Sequence, residues 1–154
     1  MRASPGPIEV SVATQATQEV VAAFARLIPQ LSASAAALDQ AALAEVIGSP
    51  CNTVLLARDA QDGSRIVGTL TLVVFRIPTA VRAWIEDVVV DSAARGRGVG
   101  EALTQEALKL AAERGAQTID LTSRASREAA RRLYEKAGFR VRDTAVYRYV
   151  PPRQ

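Results

Sequence analysis

The chain has 154 residues, 49% of them hydrophobic, with 19 Lys and Arg against 16 Asp and Glu for a net charge of +3. That length and apolar content suit one globular domain with its own core, residues 1–154, and no apolar run approaches the roughly 20 residues that span a bilayer. With no histidine and a single cysteine, Cys51, the inventory excludes disulfides, zinc sites built from His and Cys, and Ser-His-Asp or Cys-His catalysis.

At the amino terminus "MRASPGPIEV" lacks the apolar stretch of a secretory signal, so the expected compartment is the cytoplasm. Thr17 is placed to cap a helix carrying Val20, Val21, Phe24 and Leu27, which Pro29 is expected to stop. After the alanine-rich stretch from Ser32, a second short helix is expected between Asp39 and Gly48. From Asn52 the pattern turns to strands: "TVLLA", "RIVGTLTLVVF" and "RAWIEDVVV", joined by the short turns "AQDGS" and "IPTA" as an antiparallel meander. Cys51, where the first of these begins, reads as a small buried apolar residue.

Val88, Val89 and Val90 end the third of these strands, and the glycine turn "RGRGVG" follows. Val99, Leu103, Ala107 and Leu110 then recur at three- and four-residue steps, predicting a helix from Gly98 to Arg114. A helical crossover makes the next strand, "TIDLT", parallel to the one ending at Val90. A helix "SREAARRLYEKAG" and two strands, "FRVRD" and "AVYRYV", complete the chain. The expected fold class is mixed α/β (α+β), with a mostly antiparallel central sheet of about seven strands flanked by about four helices.

A helix N-terminus leaves N–H groups unpaired and carries partial positive charge, and glycines let an anion approach those groups closely. Arg95, Arg97, Arg124, Arg127, Arg131 and Arg132 gather around this turn and the last helix, and arginine's planar fork suits phosphate. For Arg131 and Arg132 a solvated basic face serves equally well. The dinucleotide pattern G-x-G-x-x-G fails, because the sixth position from Gly96 is Glu101, and no G-K-[ST] follows.

What remains, Arg95-x-x-Gly98-x-Gly100, resembles the R/Q-x-x-G-x-G/A signature of the GNAT family of N-acetyltransferases. "IEDVVVD" precedes it as the family's fourth strand does, and "RRLYEKAGF" resembles the family's Y-E-x-x-G-F segment; the likeness runs from about Val67 to Val150. The resemblance implies a GNAT-like sheet splayed at its fourth and fifth strands, with acetyl-CoA as acetyl donor and no metal. It implies that backbone groups of Val88, Val89 and Val90 bond the pantetheine arm. It also implies that the turn of Gly96, Arg97, Gly98, Val99 and Gly100, with Glu101 beyond, cradles the pyrophosphate, and that Arg95 adds charge beside it.

Tyr134 matches the family tyrosine assigned as general acid to the leaving thiolate; the alternative is a core tyrosine. Glu86 is the first candidate to take the amine's proton, sharing a strand face with Trp84 and Val88 by alternation. Asp87 ranks second, because it points the other way unless a bulge re-aims it. Either carboxylate also fits a structural ion pair. Many family members carry Asn seven residues before the tyrosine; here Arg127 stands there, and the cofactor contact of that position is carried to it.

The reading is an enzyme, an acetyl-CoA-dependent N-acetyltransferase acting on a primary amine of a small molecule. Acetylation of a peptide α-amine or lysine is the alternative, although no acidic cluster marks a peptide groove. A CoA-binding regulatory module without turnover is the alternative of another class. Neither nucleic acid nor membrane is an expected partner, and a second copy of the chain is left open as one.

Overall fold

In the computed structural model residues 8–154 are described; part of the stretch read as lacking a leader therefore lies outside the described residues. The order is β1 (Ile8–Val12), α1 (Gln18–Leu31), α2 (Gln40–Gly48), β2 (Asn52–Asp59), β3 (Arg65–Ile77), β4 (Ala80–Val90), α3 (Val99–Glu113), β5 (Thr118–Asp120) and α4 (Glu128–Lys136). The strands form one sheet in the order β1-β2-β3-β4-β5. All pairs are antiparallel except β4 with β5, as a helical crossover between them requires. The expected meander is β2 to β4. β1, which the sequence reading did not single out, carries a period-two signal in Ile8, Val10 and Val12 and pairs with β2 from Ile8↔Asp59 to Val12↔Leu55.

Alternation along β2 sorts side chains into two layers. Leu55 and Ala57 join Leu70, Leu72, Ala83 and Ile85 beneath Val99, Leu103, Ala107 and Ala111 of α3. Val54 and Leu56 face the other way, into a cluster with Val20, Phe24 and Leu27 of α1 and Leu43 of α2. Leu27, Leu43, Leu55, Leu70, Leu72 and Leu103 are fully buried, each contributing about 1.5–3 kcal/mol by leaving water. Thr17 Oγ1 accepts the Val20 N–H, the cap read from the sequence, and Asp39 Oδ1 accepts the Ala42 N–H, capping the second helix where its start was expected.

Three expectations are corrected. The sheet has five strands rather than about seven: residues 139–154 contain no strand, and Val141, Val146, Tyr147, Tyr149 and Val150 are exposed. A period-two pattern forms a strand only beside an edge that pairs with it, and β5 supplies just three residues. Pro29 does not stop α1, which continues to Leu31 with the proline inside it. Only one turn of helix is at stake there, burial of Leu27 favours its continuation, and the Ser32 N–H closes the end on the Ile28 carbonyl. Cys51 is exposed rather than buried, because it lies outside β2, on the bend that precedes it. Among the described residues no helix is long and apolar enough to cross a membrane.

Candidate active site

β4 pairs with β5 only from Arg82↔Thr118 to Trp84↔Asp120. β5 ends at Asp120, so among the described residues the valine run of β4 has no paired strand on its β5 side. On its other side β4 carries a bulge: Thr71 faces Glu86 while Thr69 faces Val89, so three steps on β4 meet two on β3. Asp87 takes up the surplus with φ +49°, one of two non-glycine residues with positive φ among the described residues.

The bulge changes which residues share a face. Ala83 and Ile85 lie in the α3 cluster, and after the bulge Val88 and Val90 pack against that same cluster, whereas Val89 joins the α1 cluster. Glu86 therefore shares a face with Trp84 but not, as simple alternation requires, with Val88. Both Glu86 and Asp87 are exposed.

After β4, a 3-10 turn, Ser92–Ala94, leads into the glycine turn. Gly96 and Gly98 have φ of +77° and +81°, and a Cβ built on either meets nothing within 4 Å. The backbone there is both left-handed and open on the side where a side chain would stand, which suits close approach by an anion. Gly98 is the N-cap of α3 and no side chain caps it. The Ala102 N–H makes the first helical bond, to the Gly98 carbonyl, so the N–H groups of Val99, Gly100 and Glu101 lie in the turn that a helix cannot satisfy itself. Gly100 is needed for a different reason. A Cβ there would lie 3.1 Å from Leu133 Cδ1 and 3.7 Å from Val90 Cγ2, so the turn, the end of β4 and α4 meet at this point. Between α3 and α4 runs a groove of about 300 Å³, with Glu101, Thr104, Arg132 and Lys136 in its lining.

The segment Tyr134–Phe139 has a local logic of its own. The Phe139 N–H donates to the Tyr134 carbonyl and the Gly138 N–H to the Glu135 carbonyl, with Gly138 at φ +103°. That is a Schellman ending, whose usual apolar contact across the cap is here the Tyr134–Phe139 ring pair. Phe139 in turn packs against the α3 cluster. Burial pushes the Tyr134 phenol above its ordinary value, with the Arg127 charge pulling weakly the other way. Arg127 is the N-cap of α4 and makes no side-chain capping bond.

Two acidic residues that sequence reading missed brace the loop that carries the turn. Asp91 takes the Arg26 guanidinium, Nε to Oδ2 3.2 Å, and the Ala93 N–H at 3.1 Å. Burial raises its carboxyl, but the bonds it accepts outweigh that and hold it below the usual value. Asp59, at the end of β2, takes Arg97 and is held low by it, with the Gln61 N–H adding to the effect. Asp91 closes the "IEDVVVD" segment without having been assigned a role there, and Asp59 stands in no motif; an Asp at the end of an apolar strand is the one trace the sequence offers for either.

The glycine turn thus follows the end of β4, and Val90, Gly100 and Glu101 meet α4 through Leu133 and Lys136. Glu86 lies just before the bulge on the α1 side of the sheet, and Arg95 is exposed beside the turn. Among the described residues no His, Cys, Asp and Glu cluster could hold a metal.

The sequence pattern of the acetyltransferase (GNAT) family matches residues 17–139. The chain belongs to that family. It is 36% identical over 84 residues to a mycothiol acetyltransferase of Beutenbergia cavernae, covering 54% of this chain and 27% of that one. It is 38% identical over 71 residues to N-alpha-acetyltransferase 30 of Schizosaccharomyces pombe, covering 46% of this chain and 47% of that one. The chain therefore spans less than half the length of each of these curated relatives. Among solved structures, a transcriptional regulator from Bacillus halodurans superposes with a TM-score of 0.80 at 26% identity, over 94% of this chain and 100% of that one. As a GNAT family member, this chain has both its glycine turn and its Tyr134–Phe139 segment inside the matched residues.

Proposed function

We propose that this GNAT protein moves an acetyl group from acetyl-CoA to a primary amine of a small molecule. The observation that carries the reading is the glycine turn: two left-handed glycines open to approach, at the first turn of α3, next to a strand edge with no paired strand. Those features fit a pyrophosphate followed by an extended amide-bearing arm, with N–H groups at Val99, Gly100 and Glu101 for the phosphates and the β4 edge at Val88 to Val90 for the amides. Arg95 adds positive charge beside the turn.

Acetyl-CoA supplies a thioester whose carbonyl carbon accepts the amine nitrogen and whose C–S bond breaks as the thiol leaves. Tyr134 keeps its proton at neutral pH, as an ordinary phenol does, and burial raises it further; it gives that proton to the departing sulfur. Glu86, directly or through water, takes the proton the amine loses. Arg127, close enough to Tyr134 to oppose that shift, steadies the phenolate once the proton has gone.

A small-molecule acceptor is favoured over a peptide because the carboxylates on this stretch of β4, Glu86 and Asp87, suffice to attract one ammonium group and the sequence carries no acidic cluster that would mark a peptide groove. The two curated relatives are named for different acceptors, so the choice rests on this chain. Screening primary amines and peptide α-amines with acetyl-CoA, while following release of free thiol, tests it. Acceptance of small amines supports the proposal, turnover of peptides alone overturns the acceptor class, and CoA binding without turnover on any amine favours the regulatory module.

A further inference from the structure

The glycine turn has little of its own to keep it in shape. With Gly96 and Gly98 on either side, Arg97 sits in a backbone that samples many conformations when free, and ordering such a segment around a ligand costs affinity. Yet Arg97 is tied down. Its Nη1 donates to Asp59 Oδ2 at 2.6 Å, and the carboxylate side chain is 2% exposed against 42% for the arginine. The other carboxylate oxygen accepts the Gln61 N–H at 2.9 Å, and Asp59 is paired on both sides, with Ile8 of β1 and Arg65 of β3. The anchor therefore sits at the end of an inner strand that is paired on both sides, 38 residues away in sequence from the arginine it holds.

We infer that Asp59 is a positioning residue for donor binding: acting through Arg97, it holds the glycine turn in its anion-ready conformation before the donor arrives. The inference rests on the reading of this turn as the pyrophosphate site. It also gives Arg97 a role different from that of a phosphate-binding cation, since its side chain is committed to the sheet while its backbone N–H remains in the turn. Loss of the anchor should therefore weaken binding of ligands that carry the pyrophosphate and leave those without it unaffected.

The test is a double-mutant cycle read by calorimetry, with Asp59→Asn, Arg97→Met and the double variant titrated with CoA and, at millimolar concentration, with pantetheine, which lacks the pyrophosphate. Asparagine keeps an acceptor for the Gln61 N–H, so the fold around β2 is preserved. The expected result is a 10- to 100-fold weaker CoA affinity for Asp59→Asn, about what a lost hydrogen bond to a charged group costs. The double variant should be no worse than Arg97→Met alone, and pantetheine binding should be the same in all four proteins. Additive losses, an unchanged CoA affinity, or equal losses for CoA and pantetheine each overturn the positioning role. If instead wild-type protein binds CoA and pantetheine equally well, the pyrophosphate reading of the turn fails first, and Asp59 has nothing to position.

Discussion

The ring of Tyr134 stands edge-on to that of Phe139, with 5.8 Å between centroids and 69° between planes, while the two residues also share a hydrogen bond from the Phe139 N–H to the Tyr134 carbonyl. The end of α4 is thus clamped at both backbone and side chain, and the phenol oxygen is the part of Tyr134 left over for chemistry. Tyr134→Phe keeps the ring pair and the cap while removing that oxygen. Turnover should fall about 100- to 10,000-fold, the usual worth of a general acid, with CoA affinity nearly intact. Since burial raises the phenol, the wild-type rate should hold through neutral pH and decline only above the ordinary tyrosine value of about 10. Equal turnover by the two proteins at saturating amine would make Tyr134 a packing residue.

Gly98→Val should uncouple CoA from stability. A β-branched side chain at φ +81° is strained by about 1–3 kcal/mol, and its methyl groups would fill the space beside the turn. Melting curves with and without CoA should show a lower starting Tm and no upward shift on adding ligand, whereas the wild-type curve moves up as any ligand selective for the folded state requires. A full CoA shift in the variant removes the turn from the donor site.

Glu86→Gln preserves shape and removes basicity. If Glu86 takes the amine's proton, the rate should fall most where the acceptor is largely protonated and recover as pH rises toward the amine's own value, about 10.4 for a lysine-like group. A pH-rate profile reads this. A uniform loss across pH with a lower Tm would leave water or a backbone carbonyl as the proton's route.

Asp91→Asn tests the brace between α1 and the loop. The native carboxyl is depressed, so its stabilisation is fully present above the unfolded value of about 3.9 and disappears as pH falls through the lower native one. The variant should melt about 3–10 °C below wild type at pH 7, as expected for losing a charge-assisted hydrogen bond in a domain of this size. The gap should close in acid. A constant gap from pH 7 to pH 2 would assign the loss to packing.

What could be read from the sequence was whatever neighbouring residues decide among themselves. Thr17 and Asp39 cap because their oxygens reach N–H groups three residues on; the RGRGVG turn and the Y-E-K-A-G-F helix end show in the same way, since glycine takes left-handed backbone angles without strain. Family membership followed from those local patterns. What could not be read depends on distant partners. The Asp59–Arg97 bond joins β2 to the turn, and the bulge at Asp87 is set by the pairing of β3 with β4 rather than by a glycine. Likewise, the alternation in "FRVRD" promises a strand, but a strand needs an edge to pair with, and this segment pairs with none.

The bulge on β4 makes Asp87 a spare residue, a syllable inserted into a line that scans without it. Removing it would set Glu86, Val88 and Val89 one-to-one against Thr71, Leu70 and Thr69. Ile85, Val88 and Val90 would still point toward α3, so the core would not notice the loss. A chain lacking Asp87 should accordingly fold, while β4 runs straight past the place where it now bends and the two adjacent carboxylates are reduced to one. Unfolding midpoints near wild type together with lost acetyl transfer would show that this residue serves the reaction and not the fold; a deletion variant that cannot fold would show the bend to be structural after all.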